Sequence, residues 1–145
     1  MLFLDRLREE LKIDEGCKYE IYLDHLELPT FGIGHLITER DDEYQKEVGT
    51  AVDEIRVNEA FEQDIMITIQ DCKKVYDDWV HLPEEVRLIC ANMMFNLGYP
   101  RYCKFKTHIK NESYRLELKR QRNRARHLKI LHEYFKPRMI QFKKV

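Results

Sequence analysis

The sequence has few residues that interrupt regular structure, and it has no long apolar run. Its 145 residues include five glycines, four prolines and one tryptophan, with no internal repeat, linker or low-complexity tract. Charge appears as early as Asp5, which argues against a secretory signal or a membrane-spanning segment and predicts a cytoplasmic protein. Because 43% of the residues are hydrophobic, we expect one domain, residues 1–145, with a core of ordinary size.

The sequence also has no pattern of cysteines or histidines that is typical of a metal site. Its four cysteines are widely spaced: Cys17, Cys72, Cys90 and Cys103. Cys72 and Cys90 lie at apolar-periodic positions, which predicts reduced thiols in the core. His127 and His132 are five residues apart and do not share a helical face, so we expect no metal and no cofactor.

Charge is divided unevenly along the chain. Residues 1–100 hold 10 Lys and Arg against 23 Asp and Glu, whereas residues 101–145 hold 15 against 3. A basic segment favours approach to anionic material such as cell wall, lipopolysaccharide or nucleic acid. The alternative is that the two parts attract each other and the basic helices have a solvated face. We expect a monomer without a nucleic-acid partner.

Glu15 lies where a helix is predicted to end. Leu4, Leu7 and Leu11 recur at helical spacing, and Gly16 follows Glu15 as a helix-terminating residue. The negative end of the helix, together with burial in a cleft, disfavours ionisation of a carboxyl group at this position. A carboxyl group of this kind is suited to act as a general acid.

A second carboxylate and a hydroxyl follow in a predicted β-hairpin. Alternating residues from Tyr19 to Asp24 predict a half-buried strand, with Tyr22 and Asp24 on the same face. A second extended segment begins at Thr30, and a hairpin would bring Thr30 beside Asp24, where the two groups could share one water. Inverting hydrolysis of a glycoside uses an acid on the leaving oxygen and a base on a water, with the two carboxyl groups roughly 6.5–9.5 Å apart.

The rest of the chain is predicted to be mostly helical scaffold. An apolar stripe from Phe61 to Trp79 predicts one long helix, and residues 38–58 predict a loop and a short helix. Proline at position 83 marks the start of a buried helix that ends at Gly98. Basic amphipathic helices are expected after it.

The run from Ile13 to Leu36 resembles the catalytic segment of bacteriophage T4-type lysozymes, including Gly-Ile-Gly-His-Leu at residues 32–36. The segments 82–87 and 92–98 resemble that family's core helix, and residues 123–125 resemble a further segment of it. The resemblance implies that Glu15 is the proton donor and that Asp24 and Thr30 position the attacking water. It also implies that further residues bind the substrate: Phe31, Gly34, Leu36, Asn96 and Arg124.

The same resemblance implies an α+β, lysozyme-like fold. A small β-hairpin lobe (residues 14–58) would be joined by a helix (residues 59–79) to a mainly helical lobe (residues 1–13 and 80–145). The implied activity is cleavage of the β-1,4 bond between N-acetylmuramic acid and N-acetylglucosamine in bacterial peptidoglycan.

Two features depart from that family's pattern. The turn from His25 to Pro29 has no residue suited to positive φ, and the chain is shortened after Gly98. They favour the alternative of a catalytically impaired lysozyme-fold protein that binds glycan or another anionic polymer without cutting it.

Overall fold

The secondary structure was obtained from a computed structural model that describes residues 2–110, with the backbone alone at residues 105–110. Over these residues the architecture is α+β, as the sequence predicts, and combines helices with one small sheet. Its elements in chain order are α1 (Phe3–Glu15), β1 (Lys18–Leu23), β2 (Pro29–Gly32), β3 (His35–Leu36), α2 (Glu54–Val75), a 3-10 helix (Trp79–His81), α3 (Glu84–Leu97) and α4 (Tyr99–Lys110). Among the helices of residues 2–110, none has the length and apolar character needed to span a bilayer.

The chain divides into two compact units, residues 1–69 and 70–145. The first unit contains the sheet, which is antiparallel with strand order β1-β2-β3. One face of the sheet carries Ile21 and Phe31, which are almost completely buried. Leu7 and Leu11 of α1 are also fully buried, in agreement with their helical spacing. This apolar core fixes the unit that carries the predicted catalytic residues.

The segment 37–53 is built from turns, so the short helix expected there is absent from this described segment. Residues 49–52 instead lie alongside β1, where Gly49 donates to the carbonyl of Ile21 and Val52 donates to that of Tyr19. These hydrogen bonds satisfy the backbone of the loop without helix formation.

The long apolar stripe does not form one continuous helix. Helix α2 begins at Glu54 and ends at Val75, and Trp79 lies in the separate 3-10 helix. Trp79 is nevertheless 96% buried, because the tighter turn still directs it inwards. The stripe therefore predicts burial correctly but places the helix too far towards the C-terminus, at residues 59–79 where the structure has Glu54–Val75.

Among the described helices of the second unit, α3 is the most buried. Helix α3 is buried on nearly all sides and ends at Leu97, with Gly98 following it as the cap that the sequence predicts. Cys72 and Cys90 are buried and unbridged, which confirms the prediction of reduced core thiols. The hydroxyls of Tyr76 and Tyr102 form a buried hydrogen bond of 2.6 Å. The basic helices predicted after residue 110 lie outside the described residues.

Candidate active site

Glu15 is the last residue of α1, and its half-buried carboxyl group lies against the β2–β3 turn. Gly16 ends the helix with φ of +69°, and its amide donates to the carbonyl of Lys12. A Cβ placed on Gly34 would lie 3.0 Å from Oε2 of Glu15. The absence of a side chain at Gly34 therefore leaves the space that the Glu15 carboxyl group occupies.

Asp24 organises the loop of the hairpin through its side chain. Its Oδ1 accepts hydrogen bonds from the amides of Leu26 (2.8 Å) and Leu28 (2.9 Å), and its carbonyl accepts one from the amide of Glu27. Glu27 has φ of +60°, although the sequence offered no residue suited to positive φ in this turn. The hydrogen bonds to Asp24 offset the cost of that conformation, which is about 1–2 kcal/mol for a residue with a side chain.

Thr30 and Asp24 meet at the carbonyl oxygen of Leu28. The amide of Asp24 donates to this oxygen at 3.0 Å, and the buried hydroxyl of Thr30 donates to it at 2.9 Å. The hydroxyl proton of Thr30 is thereby directed at the loop, and the lone pairs of the same hydroxyl oxygen can accept a hydrogen bond. The hairpin thus brings the backbone of Asp24 and the hydroxyl of Thr30 to one shared acceptor.

Tyr22 is a further residue of this region, to which the sequence gave no role. It pairs with Thr30 across β1 and β2, and the ammonium of Lys18 lies 4.2 Å from the centre of its ring. Burial raises the pKa of the Tyr22 hydroxyl, and the negative charges of Glu15 and Asp24 raise it further. The Tyr22 hydroxyl is therefore affected by the negative charge of both carboxylates. The sequence indicates this position of Tyr22 through the alternation of residues in β1, which places Tyr22 on the same face of the strand as Asp24.

His35 lies between two carboxylates within the same unit. Its Nδ1 is 2.7 Å from Oδ2 of Asp64, and its Nε2 is 3.0 Å from Oδ2 of Asp41. Burial alone lowers the pKa of His35, but the hydrogen bonds and charges of Asp64 and Asp41 outweigh it and raise the pKa. When protonated, His35 donates from both nitrogens and acts as a clamp between α2 and the loop.

Arg56 extends this clamp along α2. Its Nε donates to Glu43 at 2.6 Å and its guanidinium reaches Asp41 at 3.1 Å. The hydrogen bond from Arg56 lowers the pKa of Glu43 more than burial raises it. This network is structural, and within residues 2–110 there is no group of three or more His, Cys, Asp and Glu side chains placed to hold a metal ion.

The residues assigned to substrate binding have different surroundings. Phe31 is fully buried, with its ring centre 4.8 Å from that of His35, so only its backbone can face a ligand. Leu36 is half-exposed and pairs with Thr30 in the sheet. Asn96 is exposed near the end of α3 in the second unit. Arg124 lies outside the described residues.

Comparison with known proteins agrees with the motif that these residues form. Residues 12–126 match the family model described as phage lysozyme. The chain is 32% identical over 123 aligned positions to a probable T4-type lysozyme 2 of Dictyostelium discoideum, with 72% of each chain covered. It is 30% identical to the pre-baseplate central spike protein Gp5 of Enterobacteria phage T4, with 71% of this chain and 21% of that protein covered. The chain belongs to the phage lysozyme family.

Proposed function

We propose that this protein is a glycoside hydrolase that cleaves the β-1,4 bond between N-acetylmuramic acid and N-acetylglucosamine in bacterial peptidoglycan. Its family gives it a lysozyme-like function. The bond and the mechanism are inferred from the side chains around the hairpin. Glu15 donates a proton to the leaving oxygen, while Asp24 and Thr30 hold the water that attacks the anomeric carbon.

The observation that carries this proposal is the convergence of Glu15 and Asp24 on Tyr22. Both negative charges raise the pKa of the Tyr22 hydroxyl, so the end of α1 and the hairpin each contribute a carboxyl group that acts on this residue. Thr30 adds a hydroxyl that shares the carbonyl of Leu28 with the backbone amide of Asp24. An acid and a second carboxylate that orients water are the groups required for hydrolysis with inversion.

The two carboxyl groups have surroundings that suit different roles. Glu15 is half-buried against Gly34, which fixes its position for transfer of one proton. Asp24 uses Oδ1 for the loop amides. We assign Oδ2 to the attacking water. Proton magnetic resonance of the freshly released sugar should then show the α-anomer first, because a single displacement inverts the β-linkage.

The decisive experiment compares wild type with Glu15→Gln on purified peptidoglycan, by turbidity clearing and release of reducing ends. We expect Glu15→Gln to lose at least 100-fold in rate, because general acid catalysis contributes 10²–10⁴-fold. Glu9→Gln is the matched control, since Glu9 is an exposed carboxylate on the same helix. If Glu15→Gln clears walls as fast as Glu9→Gln, the assigned acid is wrong.

A folded wild type that co-sediments with peptidoglycan but releases no reducing ends would refute hydrolysis. That outcome would establish the alternative of a lysozyme-fold protein that binds glycan without cutting it.

A further inference from the structure

Tyr22 has a phenol hydroxyl that lies beside Thr30 on the hairpin. Its side chain is half-buried, and its backbone pairs with that of Thr30 across β1 and β2. Paired residues of neighbouring strands project from the same face of the sheet, with Cβ atoms about 5 Å apart. Within residues 2–110 no partner forms a hydrogen bond with the Tyr22 hydroxyl. This polar group is therefore available to a ligand.

Lys18 holds the ring of Tyr22. The ammonium of Lys18 lies 4.2 Å from the ring centre, which is a cation–π contact over one face of the ring. The pairing of β1 with β2 is irregular between these two residues, because Lys18 pairs with Gly32 and Tyr22 with Thr30. An irregularity of this kind bends the strand and brings its side chains closer than regular pairing would. The contact fixes the ring without involving the hydroxyl.

Two carboxyl groups influence this hydroxyl. Burial raises the pKa of the Tyr22 phenol, and the negative charges of Glu15 and Asp24 raise it further. The phenol therefore stays protonated at neutral pH. A hydroxyl that can rotate directs its proton towards negative charge, so the lone pairs of its oxygen face away from the carboxylates.

The proposed reaction develops positive charge where these lone pairs can act. In hydrolysis with inversion, the acid and the water act from opposite faces of the sugar, and the transition state resembles an oxocarbenium ion. Tyr22 lies on the face of the sheet that carries the water-holding residues Asp24 and Thr30, and the charge of Glu15 reaches it as well. A neutral oxygen at this place stabilises positive charge more in the transition state than in the bound substrate.

We propose that Tyr22 is a further catalytic residue, whose phenol oxygen contacts the anomeric centre and stabilises the positive charge that develops there. Lys18 is the positioning residue that holds the ring. This inference rests on the proposed function and adds a third kind of group to the same site. Water adds to the anomeric carbon, Glu15 gives its proton to the leaving oxygen and Asp24 takes a proton from the water. Tyr22 forms no covalent bond and keeps its own proton throughout.

The test compares Tyr22→Phe with wild type on soluble peptidoglycan fragments. Phenylalanine keeps the ring and its contact with Lys18 and removes only the oxygen. We expect kcat to fall roughly tenfold with KM little changed, because the contact acts in the transition state. Tyr19→Phe is the matched control, since Tyr19 is a 52% exposed tyrosine of the same strand. Urea unfolding should show the same stability for both variants.

Variants of Lys18 test the positioning role. Lys18→Met should lower kcat in the same direction as Tyr22→Phe, because it removes the charge over the ring. Lys18→Arg should retain wild-type kcat, since a guanidinium also stacks on an aromatic face. If Lys18→Met keeps full activity, Lys18 has no part in positioning Tyr22.

Three results would overturn the catalytic role of Tyr22. Equal kcat in Tyr22→Phe and Tyr19→Phe would show that the phenol oxygen takes no part in the reaction. A fall in kcat that is matched by a loss of unfolding free energy would make Tyr22 a structural residue. A rise in KM with kcat unchanged would show a contact with bound substrate that is not specific to the transition state.

Carbon magnetic resonance of labelled tyrosine tests the placement of Tyr22 without turnover. The ζ-carbon resonance of Tyr22, assigned with Tyr22→Phe, should shift as the pH rises through the range in which carboxyl groups ionise. Glu15→Gln and Asp24→Asn should each remove part of this shift, whereas Glu9→Gln should leave it intact. If neither variant alters the shift, the inference fails even in an active enzyme. If the shifts behave as expected but wild type releases no reducing ends, the proposed function is what fails, and the catalytic role falls with it.

Discussion

Gly34→Ala tests whether the β2–β3 turn holds the Glu15 carboxyl group where the proposed reaction needs it. Gly34 has φ of +66°, a conformation that costs alanine about 1–2 kcal/mol. The new Cβ would lie 3.0 Å from Oε2 and 3.4 Å from Cδ of Glu15, so the carboxyl group must move by a few tenths of an ångström. Because Glu15 is a flexible side chain at a helix end, we expect the fold to survive this change.

The expected loss of activity follows from the displacement. A misplacement of about 1 Å at a reacting group costs on the order of 100-fold in rate. For the smaller shift at Glu15 we expect roughly a tenfold fall in kcat for peptidoglycan, with KM little changed. Stability should fall by about 1–2 kcal/mol, the cost of the left-handed backbone alone.

Gly49→Ala separates the two effects. Gly49 also has positive φ, +92°, but a Cβ there would meet nothing within 4 Å. Urea unfolding should show similar destabilisation of both variants, while clearing of peptidoglycan should fall steeply only in Gly34→Ala. If Gly34→Ala keeps as much activity as Gly49→Ala, the contact between Gly34 and Glu15 has no part in placing the acid.

Three further predictions concern the clamp, the loop and the second unit. The raised pKa of His35 means that its stabilisation is complete below its ordinary pKa of 6.5 and is lost as pH rises through the raised value, so the unfolding free energy should fall as the pH rises above 6.5. His35→Asn should flatten that dependence in urea unfolding, and an unchanged slope would contradict the clamp. Asp24→Asn keeps an oxygen that can accept from the loop amides, so it should lose activity but retain most of its stability. Asp24→Ala should lose activity and also about 1–3 kcal/mol of unfolding free energy, which thermal unfolding will measure. Tyr102→Phe should cost about 1–3 kcal/mol, because it removes one buried hydrogen bond of Tyr76, and equal stability to wild type would argue against that hydrogen bond.

The sequence predicts well the features that depend on neighbouring residues. The ends of α1 at Glu15 and of α3 at Leu97 follow from the glycine after each apolar-periodic segment, because a residue with positive φ stops a helix locally. The approach of Thr30 to Asp24 follows from strand alternation and a short loop. In each case the determining interaction spans only a few residues.

The features that the sequence did not predict depend on distant partners. Nothing near Asp41 and Glu43 indicates that Arg56 and His35 hold their carboxylates, so a loop of turns was mistaken for one with a short helix. The placement of the Glu15 carboxyl group against Gly34 likewise requires the folded sheet. Long-range contacts of this kind do not appear in the periodicity of a single segment.

The loop at Asp24 explains how a turn without glycine can still support a catalytic carboxylate. Asp24 binds two backbone amides through Oδ1, and these bonds hold Glu27 at positive φ without help from a permissive residue. The identities of residues 25–29 are thereby less constrained, since the amides and not the side chains hold the loop. Leucines could then occupy positions 26 and 28 without disturbing the carboxylate. The residue that anchors the loop is therefore also the one proposed to hold the attacking water.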